Sequence, residues 1–118
     1  MSKHRVNKGD VVLVDIPYLD AKQVVRRPAL VISDSTQLLD VIVAGITSRI
    51  RDPLPPTPYV VDCIHPDWGQ SGLRLDSAVH CDRIFTVEHA SVHRALGRLS
   101  SAAMLQIDER LKLAMAIG

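Results

Sequence analysis

The sequence predicts a mainly β fold: a small, strongly bent barrel with one helix laid against it. Three observations carry this. Short runs rich in valine and isoleucine recur from Val11 to Leu96, broken by Gly, Pro and Asp punctuation. From Ser100 onward the apolar spacing changes to that of a helix. And 118 residues, 47% of them apolar, suit one domain, 1–118, that buries its own core.

In order, Gly9 and Asp10 introduce VVLVDIP, a first strand that Pro17 ends, followed by a polar loop from Tyr18 to Gln23. A second strand, PALVIS, is expected to begin at Pro28, where a strand's first residue needs no ladder donor. DVIVAGITS, Asp40 to Ser48, is continuous enough for a strand packed on both faces. RDPLPPTPY holds four prolines and reads as an irregular excursion. YVVDCI, SAVHCD and the segment through Leu96 are further short strands. In SSAAMLQIDERLKLAMAIG, Met104, Ile107, Leu111, Ala114 and Met115 share a helical stripe, with Ser100 or Ser101 as N-cap. Leu113 lies opposite that stripe, and the open strand edges and apolar surface predict a homodimer.

Composition narrows the function. A net charge of +1 provides no global field, so any polyanion must meet a local basic patch. Trp68, Tyr18, Tyr59 and Phe85 are the whole aromatic set, too few for an obvious base-stacking platform. Cys63 and Cys81 have neither metal nor redox spacing and lie in apolar runs, which predicts buried, reduced thiols. The opening MSKHRVNKGD lacks the apolar core of a secretion signal, and no run is long enough for a bilayer, so a cytoplasmic protein is expected. Among the histidines, His4, His89 and His93 read as surface residues, and neither Cys63 with His65 nor His80 with Cys81 has zinc-site spacing, so no metal or cofactor is expected.

Two places invite chemistry. In DVIVAGITS, alternation puts Val41, Val43, Gly45 and Thr47 on one face, with Gly45 leaving a gap beside Thr47. The bland alternative is a β-former at a strand end, with Gly45 in a bulge. Arg26 and Arg27 precede Pro28, which favours an extended backbone and hence a stiff mount for a guanidinium fork. The alternative is a pair of surface arginines whose stems cover apolar surface. Arg49 and Arg51, closing the next strand, make a basic patch with them.

Together GDVVLVDIP, RRPALVIS, VIVAGITSR, SGLRLDSAVHCDRIFT and ALGRLSSAAMLQIDERLKLAM resemble, in order and spacing, the MazF/PemK family of toxin endoribonucleases; Arg51 to Gln70 matches little. The resemblance implies an SH3-like β-barrel of the CcdB/MazF type with a C-terminal helix, usually a homodimer. It implies metal-independent cleavage of single-stranded RNA and control by a cognate antitoxin peptide. Arg27 and Thr47 correspond to residues regarded in the family as catalytic, and the expected RNA contacts are Arg26, Ser48, Arg49, Asp76 and Ser77. Candidates for the general base are Asp76, Asp82 and His80. Tyr18–Gln23 stands where many members have G-S-E-Q-x-G, and Ile84-Phe85-Thr86 where many have I-R-T. The alternative is a non-catalytic toxin of the CcdB kind that acts by occupying a protein partner.

Overall fold

The computed structural model describes residues 6–17, 24–34 and 40–117; His4 and the loop Tyr18–Gln23 lie outside them. Six strands, β1 (Asp10–Pro17), β2 (Val24–Val31), β3 (Val41–Thr47), β4 (Tyr59–Val61), β5 (Ser77–Val87) and β6 (Val92–Arg98), form one sheet in the order β4-β5-β3-β2-β1-β6. Every pairing is antiparallel. A short helix, α1 (Trp68–Ser71), precedes β5, and α2 (Ser101–Ala114) closes the chain.

The sheet curls. β4 and β6 are its two edges, and in a flat sheet five strand spacings would separate them by roughly 24 Å. Yet α1, seven residues after β4, packs on β6. Glycines allow the contact: a Cβ on Gly72 would fall 2.1 Å from the Leu96 carbonyl oxygen, and one on Gly97 2.1 Å from that of Gln70. Gly72 also takes φ +76°, a conformation side chains disfavour. The expected barrel is thus a curled sheet whose two edges are bridged by α1 rather than by a strand pair.

Both faces are covered. Val11, Leu30, Ala44, Ile46, Val79 and Cys81 point at α2, where Ala103, Met104 and Ile107 meet them. Val12, Val14, Ile16, Ala29, Val31, Val41 and Val43 form a second cluster on the other face. This is the two-sided packing that the continuous apolar run of β3 predicts. On α2 the stripe is buried only over the first turns: Leu111 and Ala114 are half-buried, and Met115, just past the helix end, is exposed, as is Leu113.

Ser100 is the N-cap. Its extended backbone lets Oγ accept from the Ala103 N–H at 3.2 Å. Asp67, buried beside α1, accepts from both the N–H and the hydroxyl of Ser100, at 2.8 and 2.7 Å. Burial alone would raise the Asp67 carboxyl, but the two Ser100 hydrogen bonds outweigh it and hold it below its ordinary value.

Three expectations change. β2 begins at Val24, so Pro28 sits inside the strand: β3 pairs only with Ala29, Leu30 and Val31, leaving Pro28 beyond the β3 ladder, where a missing donor is tolerated. SAVHCD is the first half of the eleven-residue β5. And of the cysteines only Cys81 is buried, its thiol pushed up to about 11 by desolvation; Cys63 is exposed, because β4 ends two residues earlier.

Candidate functional site: a cationic groove between splayed strands

The β2–β3 ladder ends at the pair Ala29 and Gly45. Beyond it the strands no longer bond, and a groove of about 1050 Å³ opens, walled by Ile16, Val25 and Phe85 and carrying Arg27, Thr47, Ser48 and Arg49. Continuing the register two residues along each strand sets Arg27 across from Thr47. Alternation accounts for the choice of arginine. Arg27 shares the face of Val25 and Ala29, whereas Arg26 is delivered to the opposite face.

Arg26 accordingly lies outside the groove. Its Nε is 3.4 Å from Asp15 Oδ1, and His93 Nε2 is 2.9 Å from Asp15 Oδ2. The His93 hydrogen bond, helped by Arg26 and opposed by partial desolvation, holds the Asp15 carboxyl below its ordinary value. His93, expected as a plain surface residue, is thus one arm of a bridge across β2, β1 and β6.

Thr47 is half-buried, and its Oγ1 accepts from the Arg49 N–H at 3.1 Å. That bond turns the chain out of β3 and leaves the hydroxyl hydrogen to donate elsewhere. A Cβ on Gly45 would meet only ordinary contacts, the nearest Phe85 at 3.7 Å, so the gap beside Thr47 stays part of the groove and is bordered by that ring.

The bulge lies on β5, not at Gly45. Ala44 pairs with Ile84 and Gly45 with His80, so Cys81, Asp82 and Arg83 are extra. Three extra residues swap the alternation: Val79 and Cys81 face α2, whereas Phe85 and Val87 face the other cluster. The same bulge brings His80, Asp82 and Arg83 to the groove together. His80 Nδ1 stands 3.6 Å from Asp82 Oδ1. Arg83 was not legible beforehand, since regular alternation would send it away from His80.

The other expected contacts are elsewhere. Asp76 is exposed and accepts from the Cys63 N–H at 3.0 Å, fastening the end of β4. Ser77 is buried, with its hydroxyl donating to the Leu75 carbonyl at 2.7 Å. Neither lines the groove. Of the three base candidates, His80 and Asp82 are in place and Asp76 is not. Among the described residues no three His, Cys, Asp or Glu side chains gather as metal ligands.

A curled antiparallel sheet with a terminal helix and an arginine-rich groove at a splayed strand pair defines a small β protein with one open, mainly cationic cleft. The family model described as PemK-like, MazF-like toxin of type II toxin-antitoxin system matches residues 7–115, and the chain belongs to that family. Solved structures share the fold. An endoribonuclease from a mycobacterial species is 21% identical, with a TM-score of 0.74 over 99% of this chain and 97% of that one. An endoribonuclease in complex with its cognate antitoxin, also mycobacterial, is 22% identical, with a TM-score of 0.75 over 97% and 98%. MazF from Deinococcus radiodurans is 18% identical, with a TM-score of 0.75 over 97% and 99%.

Proposed function

We propose that this chain, as a single toxin domain spanning 1–118, is an endoribonuclease that cleaves single-stranded RNA without a metal. The observation that carries the reading is the shared groove: Arg27, Thr47 and the His80–Asp82 pair, from three strands, line one open cleft. RNA contains its own nucleophile, so the protein has only to hold the 2′-hydroxyl in line, move protons and stabilise charge. The 2′-oxygen attacks the adjacent phosphorus, and the bond to the 5′-oxygen of the next nucleotide breaks. The products are a 2′,3′-cyclic phosphate and a 5′-hydroxyl.

The Arg27 fork is suited to the negative charge that grows on the phosphoryl oxygens. Thr47 donates its hydroxyl hydrogen to the same phosphate. With Asp82 at Nδ1, the imidazole of His80 presents Nε2 to the substrate and carries the proton between attacking and leaving oxygens. Ser48 and Arg49, just past the end of β3, continue the phosphate contacts.

The same reading includes a homodimer, for which Leu105 and Leu113 offer exposed apolar surface on α2. It also includes a cytoplasmic location and a cognate antitoxin whose acidic, partly disordered segment competes with RNA for the groove.

The test is a digest of end-labelled single-stranded RNA by purified protein with chelator present. Cleavage to the cyclic phosphate and 5′-hydroxyl is expected, with none where the 2′-hydroxyl at the cut is replaced by hydrogen. Equal cutting of the deoxy substrate would refute the mechanism. No cutting of any RNA would favour a toxin that acts by occupying a partner.

A further inference from the structure

A second cleft adjoins the groove. It runs between the proline-rich loop that follows β3 and the bulge of β5, and it shares Arg49, His80, Asp82 and Arg83 with the groove. Its volume is about 90 Å³, room for several waters or one planar ring. Leu54, Pro55 and Pro58 make its walls apolar.

The polar lining has one sign in excess. Arg49, Arg51 and Arg83 converge on the cleft, and among the described residues none of the three guanidiniums has a hydrogen-bond or ion-pair partner. The carboxylate nearby, Asp82, is directed at His80. Three like charges beside a single carboxylate call for an acceptor-rich occupant. Apolar walls around them call for a flat, uncharged one.

We propose that this cleft is a base-reading subsite that takes a guanine next to the scissile phosphate and sets where the chain cuts. The proposal rests on the groove binding RNA. A guanidinium is donor-only, and of the two purines guanine alone presents two adjacent acceptors, O6 and N7, that match its fork. Adenine offers N7 beside an amino donor, which opposes a guanidinium. The loop is suited to hold such a wall: Pro53, Pro55, Pro56 and Pro58 each fix φ, so little ordering remains to be done on binding.

The experiment uses full-length protein and single-stranded oligouridine hexamers with one guanine or one adenine, made 2′-deoxy at every position so that they bind without being cut. Fluorescence anisotropy should show the guanine oligomer bound about tenfold tighter or more, the span of one good bidentate pair. Arg51 is exposed and outside the core, so Arg51→Ala should fold and bring the guanine-to-adenine ratio to about one. Arg51→Lys should restore only part of it. A wild-type ratio near one overturns the proposal. So does Arg51→Ala weakening both oligomers equally, which would make Arg51 a phosphate contact. Cleavage of the matching RNAs is measured in parallel: guanine-selective binding without cleavage sinks the nuclease reading and keeps the subsite, and cleavage without guanine selectivity does the reverse. Binding of neither oligomer sinks both.

Discussion

Arg27 stands across from Thr47 in the continued register of β2 and β3, one pleat beyond Ala29 and Gly45, where the ladder stops. Had the ladder run on, its hydrogen bonds would have drawn the strands together and closed the groove between the two side chains. Its early end, with Pro28 supplying no donor at that point, turns a sheet position into a cleft.

Arg27→Ala should lower RNA cleavage on the order of 10²–10³-fold, as expected for one preorganised charge-stabilising donor. The exposed side chain adds little to the core, so thermal unfolding should be almost unchanged. Arg27→Lys should recover only part of the rate, because an ammonium has no fork. Single-turnover rates beside melting curves check all three; wild-type cleavage by Arg27→Ala would exclude this role.

His80→Ala should cost about 10²–10⁴-fold, the usual worth of a positioned proton-transfer group, and Asp82→Asn less. If the two act as one unit, the double variant should be hardly slower than His80→Ala alone. Additive losses would mean that Asp82 acts independently, for instance on the RNA itself.

Arg26→Ala should leave RNA affinity and cleavage close to wild type, because the side chain is on the far face with Asp15. Asp15 itself gives a pH test. Its folded carboxyl lies below the ordinary value, chiefly through His93, so its stabilisation is present at neutral pH and lost as pH falls through the lowered folded value. Wild type should therefore exceed Asp15→Asn in stability at pH 7. The gap should close in acid, starting near pH 4 where the unfolded carboxylate begins to protonate. Denaturant titrations at several pH values measure it.

Gly72→Ala and Gly97→Ala should each destabilise by about 1–3 kcal/mol or more, since the new methyl meets a backbone carbonyl that cannot turn aside. Gly69→Ala is the control, as its Cβ would meet nothing within 4 Å. Urea midpoints of the three variants should separate the first two from the third.

The sequence by itself determined most elements and their packing. Valine-rich alternation in β1 and β3, the serine N-cap and the helical stripe from Met104 to Ile107 are local signals, and local geometry turns them directly into strands, faces and a helix. It also determined that Arg27 and Thr47 were worth watching, because an arginine before proline and a threonine two residues after a strand glycine are readable without a partner. Tertiary structure decided the rest. A bulge depends on a mismatch between two strands far apart in the chain, so nothing within SAVHCDRIF could reveal that Arg83 joins His80 and Asp82. The separation of Arg26 from Arg27 followed from strand parity, which stayed ambiguous until β2 was seen to begin at Val24. The site exists because pairing ends after Ala29 and Gly45, and where a ladder ends is settled between strands, not within one.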